Sequence, residues 1–226
     1  MPYSDLRDRV AETRERIAEA VQRGGHSQEV TIVAVTKTHG PEAVQAAWDV
    51  GIRDVGENRV QEALAKMPQV AAPVRWHLIG HLQRNKVKSL DRFELFHALD
   101  TSRLADAVDR FASDRGSSVD ALLQVNPLGE QTKGGFDPSE VEREGARLAD
   151  VKGIRVRGVM TMARLDADES ELRATFAAAR GARDTLSRLG HPATELSMGM
   201  SGDFEIAVEE GATLVRLGTV LFGPRE

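Results

Sequence analysis

The chain contains no cysteine. That excludes disulfides, thiolate metal sites and a cysteine nucleophile, and it agrees with a reducing compartment. It also has no apolar run approaching the roughly 18 residues of a membrane-spanning helix. The opening stretch, MPYSDLRDRVAETRERIAEA, is charged and amphipathic, without the apolar segment of a signal peptide. Neither a leader nor a membrane span is expected, and the protein is expected in the cytoplasm. Basic clusters are missing too. The 30 Lys and Arg residues are dispersed among 35 Asp and Glu residues, leaving a formal net charge of −5. Mild acidity without a basic block opposes binding to a phosphate backbone, so nucleic acid is not an expected partner. Absent as well is the G-x-G-x-x-G turn of dinucleotide-binding sheets.

What is present is an alternating rhythm. Residues 4–23 read as a helix, with Leu6, Val10, Ile17 and Val21 at helical spacing, Ser4 or Asp5 to start it and Gly24-Gly25 to end it. Apolar or β-branched runs follow near 30–37, 54–58, 74–80, 94–99, 118–126, 155–162, 195–201 and 214–222. Segments of helical composition lie between them, near 41–50, 59–67, 83–90, 102–115, 137–150, 169–189 and 203–211. Pro41 and Pro138 sit where a first helical turn tolerates proline. Parallel strands need such crossovers and are buried on both faces, which accounts for near-continuous apolar runs such as TIVAV and DALLQV. Eight strands and seven intervening helices predict a single-domain α/β fold, a (β/α)8 (TIM) barrel spanning residues 1–226. The N-terminal helix is then expected to fill the outer position left vacant after the last strand. The alternative is a doubly wound open sheet, which the missing Gly-rich turn opposes.

In a barrel the C-terminal strand ends carry the chemistry. Lys37 closes the first strand, in TIVAVTKTHG, whereas Lys66, Lys86, Lys88, Lys133 and Lys152 fall in helices or loops. A lysine there is either a snorkelling side chain or a desolvated amine able to form a Schiff base. Other strand ends are polar: Gly56-Glu57-Asn58, WHLIG, Gln124 to Asn126, ELSMGMSGD and VRLGT. Helix capping is an alternative role for Asn58 and Ser201 and the expected one for Asp203. Phosphate groups in this fold are often held after strands seven and eight. Ser201 offers a hydroxyl there, Gly202 allows close backbone approach, and Gly218 and Thr219 add amides from the eighth strand. Arg216, two residues before Gly218, points to the same side. A phosphate site facing a lysine suggests a phosphorylated aldehyde, and pyridoxal phosphate (PLP) fits both ends. His77 and His81 have zinc-like i, i+4 spacing, but on a strand and its exit they would lie roughly 13 Å apart, too far to share a metal. Met160, Met162, Met198 and Met200 are expected to line the core or pocket.

The motifs VAVTK (33–37), VGENRVQE (55–62), WHLIGHLQRNK (76–86), QVNPLGEQTKGG (124–135), GVMTM (158–162), LSMGMSGDFEIAV (196–208) and VRLGTVLFG (215–223) together resemble the pyridoxal phosphate homeostasis protein family. That family is related to the N-terminal barrel of alanine racemase, and the likeness runs from about residue 4 to 225. The resemblance implies a (β/α)8 barrel with PLP held as a Schiff base on Lys37. By position, Ser201, Gly218 and Thr219 match the phosphate-binding residues, Arg216 the partner of the pyridine nitrogen, and Asn58 and His77 further pocket residues. His81 stands where proline is expected.

An arginine at the pyridine nitrogen only donates, so the ring is a weaker electron sink. Alanine racemase compensates with a second acid/base from an additional domain and a partner subunit. This sequence stops at Glu226 and has one tyrosine, Tyr3, in its N-terminal arm. The resemblance therefore implies a PLP buffer or carrier without turnover, monomeric, with apo PLP-dependent enzymes as partners and no resident metal. The alternatives are a PLP-dependent racemase using Lys37 as base and an aldolase that forms its Schiff base with a sugar phosphate.

Overall fold

The computed structural model describes residues 3–130 and 133–223. Gln131 and Thr132 of the GEQTKGG stretch, and the end of the chain at Glu226, lie outside them. Eight strands close a barrel in sequence order: β1 (Thr31–Val35), β2 (Asp54–Glu57), β3 (Arg75–Leu78), β4 (Leu95–Leu99), β5 (Val119–Gln124), β6 (Ile154–Met160), β7 (Glu195–Ser197) and β8 (Leu214–Leu217). Every neighbouring pair is parallel, and β8 returns to β1 with Thr31 opposite Leu214 and Ala34 opposite Leu217. Four of the five residues of β1 are buried, because both faces of the strand are covered.

The helices between them begin and end where local chemistry dictates. α1 (Leu6–Gly24) stops because Gly25 adopts φ 70° and returns its N–H to the Val21 carbonyl. α2 (Pro41–Asp49) opens on its proline, and α3 (Val60–Lys66) follows β2. Thr101 caps α4 (Ser102–Ser113), accepting from the Leu104 N–H at 3.2 Å. A capping box between Asp137 and Glu140 starts the short turn before α5 (Val141–Ala149), and Asp168 caps α6 (Glu169–Arg188). α7 (Phe204–Glu209) follows β7.

Two predicted elements differ. Residues 84–92 form 3-10 turns, not an α-helix, because this polar stretch buries only Leu90 and gains little from packing. The run 214–222 is not one strand. It breaks at Gly218, and α8 (Thr219–Phe222) follows as a single helical turn that buries Leu221 and Phe222. A short apolar run does not distinguish a strand from a buried helical turn.

α1 packs on the outside against α7 and α8, the helices that flank β8 in sequence. Its buried face carries Leu6, Val10, Thr13, Ile17 and Ala20. Arg16 reaches Glu205 of α7 at 2.8 Å, and Arg9 donates to the Leu221 carbonyl of α8 at 3.3 Å. The approach to α7 is close: a Cβ on Gly24 would stand 2.4 Å from the Glu209 carbonyl oxygen, so only glycine fits there.

Candidate functional site

The C-terminal end of β1 supplies the amine. The Thr36 N–H donates to the Gly56 carbonyl at 3.1 Å, extending the ladder one step past β1. Lys37 then sits half-buried in a turn closed by the His39 N–H on the Thr36 carbonyl. Thr38 holds φ 69°, a conformation that β-branched residues avoid and that is found where surrounding structure over-determines the backbone. Behind the turn, Lys66 of α3 donates to Glu57 and to the Thr36 carbonyl, and the Thr36 hydroxyl donates to the same Glu57 oxygen at 2.6 Å. Lys66 is thus committed to an ion pair between barrel and helix.

The amide cluster lies next to it. With Ala34 opposite Leu217, a Cβ on Gly218 would meet the Val35 carbonyl oxygen at 3.6 Å, so the turn into α8 abuts the exit of β1. Ser201 Oγ accepts from the Gly218 N–H at 3.3 Å and from the Val220 N–H at 3.2 Å. Thr219 is exposed at the start of α8. Gly218 and Thr219 thus present their amides from a helical turn, not from a strand. Asp203 folds back to accept from the Met200 N–H, fixing the loop that carries Ser201. Burial pushes its carboxyl above the usual range, against the backbone hydrogen bond and the positive charges of Arg216 and Lys133.

Arg216 is 5 % exposed and anchored at two nitrogens, donating to Ser197 Oγ at 2.7 Å and to the Thr161 carbonyl at 2.9 Å. Burial pushes its guanidinium down to about 10, so it keeps its charge at neutral pH. Below it, Ser197 meets His97 Nδ1 at 2.8 Å, His97 Nε2 meets His77 Nδ1 at 2.9 Å, and His77 Nε2 meets Asp54 at 2.9 Å. Arg75 closes on both Asp54 oxygens at 2.7 and 2.6 Å.

Lys37, Ser201, Gly218, Thr219 and Arg216 therefore gather around the junction of β1 and β8. Asn58 is half-buried at the exit of β2, lining a cleft with His81, Gln83 and Lys86. His77 lies elsewhere than the other site residues: both its ring nitrogens are engaged inside the barrel, and it meets Arg216 only through His97 and Ser197. His81 instead reaches Asp100 at 2.7 Å, so the two histidines go to separate partners. Met160 and Met198 are fully buried core, with Met162 packed at its edge. Sequence reading missed Asp54, His97 and Ser197. The available signal was polar residues within otherwise apolar barrel strands, Asp54, His97 and the Arg75-x-His77 pair among them, where the interior is ordinarily apolar.

An amine, a hydroxyl with converging amides and a buried guanidinium form a donor set for a phosphorylated aldehyde bearing a ring acceptor. The chain matches the family described as alanine racemase, N-terminal domain, over residues 9–226. It is 39% identical over 223 residues to the pyridoxal phosphate homeostasis protein of Aquifex aeolicus, covering 97% of this chain and 98% of that one. The homologue of the same name from Synechocystis is 37% identical over 87% of this chain and 92% of its own length. The solved structure of PipY from Synechococcus elongatus with PLP bound superposes with a TM-score of 0.84 at 36% identity, over 96% of this chain and all of that one. With the same barrel, and with these motifs matched along nearly its whole length, the chain belongs to the pyridoxal phosphate homeostasis protein family, within the alanine racemase N-terminal domain fold.

Proposed function

We propose that this protein binds PLP, with Lys37 as the amine that holds its aldehyde covalently, and that it buffers or delivers the cofactor without catalytic turnover. The observation that carries this reading is the junction of β1 and β8, where the strand end that leads into Lys37 abuts Gly218. There the Gly218 and Val220 amides converge on the Ser201 hydroxyl, and Arg216 is buried on the strand that Gly218 follows. The PLP bound in the PipY structure supports it. When bound, PLP supplies an aldehyde that condenses with an amine and a pyridine ring that accepts electrons. Ser201 and the Gly218 and Thr219 amides suit its phosphate. Arg216 can donate to a ring nitrogen but cannot protonate it at neutral pH, which keeps the ring a weak electron sink.

Catalysis at an amino-acid α-carbon needs a second proton-transfer group. Among the described residues, Tyr3 and His77 are both already hydrogen-bonded. The Tyr3 hydroxyl meets His39 Nδ1 at 3.1 Å while its ring packs edge-on against Phe222, and both His77 nitrogens are bonded inside the barrel. This favours a carrier over a racemase. The protein we propose is a monomer consisting of a single barrel domain, residing in the cytoplasm and handing PLP to apo enzymes. Among the described residues no helix is long and apolar enough to cross a membrane. The test is to load the protein with PLP, reduce it with borohydride and map the pyridoxyl-bearing peptide. The label is expected on Lys37, and a label mainly on another lysine would overturn the assignment.

A further inference from the structure

The polar groups inside the barrel form one continuous line. Asp54, His77, His97, Ser197 and Arg216 come from β2, β3, β4, β7 and β8, and all are at most 5 % exposed. Strands β4 and β7 are not neighbours, so the His97–Ser197 bond crosses the barrel interior. At its lower end the line opens into a cleft at the N-terminal mouth, lined by Asp54, Arg75 and His77 among others. At its upper end is Arg216. Burying five polar side chains where branched apolar residues would pack is costly unless each is satisfied.

The direction of every bond follows from the chemistry of the two ends. A guanidinium only donates, so Ser197 Oγ accepts from Arg216, and the acceptor within reach of the Ser197 hydrogen is His97 Nδ1 at 2.8 Å. Burial above all holds the His97 imidazole well below its ordinary value, so His97 is neutral. With Nδ1 accepting, His97 carries its hydrogen on Nε2 and donates to His77 Nδ1. His77 then carries its hydrogen on Nε2 and donates to the Asp54 carboxylate. Each link holds one hydrogen, and the direction never reverses between the cationic and the anionic end.

We propose that Ser197 and His97, backed by His77 and Asp54, are positioning residues that fix the Arg216 guanidinium in the one orientation in which it would donate to a cofactor's ring nitrogen, and tie it to the Arg75–Asp54 pair at the N-terminal mouth. A planar fork held at both terminal nitrogens, by Ser197 and by the Thr161 carbonyl, cannot rotate in its plane. The remaining N–H groups then face a fixed direction. The last link rests on the PLP reading above; the line of donors itself belongs to the cofactor-free protein.

The experiment separates the two. In cofactor-free wild-type protein labelled with 15N-histidine, nitrogen NMR at neutral pH should find His97 neutral, with its hydrogen on Nε2 and Nδ1 accepting, and His77 with a hydrogen on Nε2. Ser197→Ala should shift the His97 Nδ1 resonance. On PLP titration it should bind about tenfold more weakly, the net worth of one buried charge-assisted hydrogen bond. Its absorption band should also move, while Lys37 remains the residue labelled on reduction. An Nδ1–H tautomer or a doubly protonated ring at His97 in the wild-type protein would overturn the line of donors. Unchanged band and affinity in Ser197→Ala would overturn the positioning role. The expected tautomers in a wild-type protein that takes up no PLP would overturn the cofactor link and leave the line as an anchor for Arg216 alone.

Discussion

Replacing Lys66 by methionine isolates the buried ion pair behind the Lys37 turn. Lys66 is 7 % exposed and Glu57 is fully buried. Glu57 Oε1 accepts from Lys66 and from the Thr36 hydroxyl, while Glu57 Oε2 has no hydrogen-bond partner. Methionine retains most of the apolar stem, so the change removes charge more than packing. It leaves a buried carboxylate with one hydroxyl donor, and it takes from the Thr36 carbonyl the Lys66 donor at 2.9 Å. Breaking such a pair from one side costs about 3–5 kcal/mol. For a chain of this size that is a fall in Tm of about 6–20 °C. The double variant Glu57→Gln/Lys66→Met removes the stranded charge as well and should recover about 2 kcal/mol or more, because replacing both partners is far cheaper than replacing one. Urea unfolding followed by circular dichroism, with the m-value compared across variants, reads both numbers. PLP retention measured in parallel should also fall in the single variant, since Thr36 directly precedes Lys37. A loss below about 1 kcal/mol in Lys66→Met, or a double variant no more stable than the single, would refute the reasoning that the two charges compensate each other.

Three further outcomes are expected. Ser201→Ala should weaken PLP retention by about 1.5–3 kcal/mol, roughly ten- to a hundredfold, without unfolding the barrel; an unchanged fluorescence titration would move the phosphate site elsewhere. Burial raises the Asp54 carboxyl, but hydrogen bonds from His77 and Arg75 outweigh it and hold it below its ordinary value. A depressed carboxylate contributes stability above its unfolded pKa and loses it as pH falls through the folded one. Thermal melts from neutral pH to below about 4 should therefore find Asp54→Asn less stable at pH 7 and flatter on the acid limb than wild type; equal acid limbs would remove Asp54 from the account. Finally, PLP-loaded protein incubated with L-amino acids in deuterated water should give no sustained α-proton exchange. Lys37-dependent turnover at about 1 per second or faster would make the protein an enzyme.

The site was legible in part because a barrel gathers its chemistry at strand ends. Lys37, Ser201 and Arg216 each stand at or near the end of a strand, in a mostly apolar run, and such interruptions are visible in a linear string. Gly218 and Thr219 were expected on the eighth strand and instead open a helical turn, since VLF reads equally as strand or helical turn. His77 was legible as an interior residue, yet its partners were not. His97 lies 20 residues away from it, and Ser197 lies 100 beyond His97. Each looks like an ordinary polar residue until the barrel closes.

By itself the sequence determined the alternation of strands and helices, the closing order they favour, the amine at the end of β1 and the hydroxyl and glycines of the seventh and eighth loops. These follow from local periodicity, capping residues and composition, which act over a few residues and survive in a string. Only the tertiary structure decided which strand faces which across the interior, that α1 packs on α7 through Gly24 against Glu209, and that Lys66 is spent on Glu57. It also decided that Asp54, His77, His97, Ser197 and Arg216 form one line. Closure of the barrel sets those contacts through the stagger of eight strands, a quantity no single segment encodes.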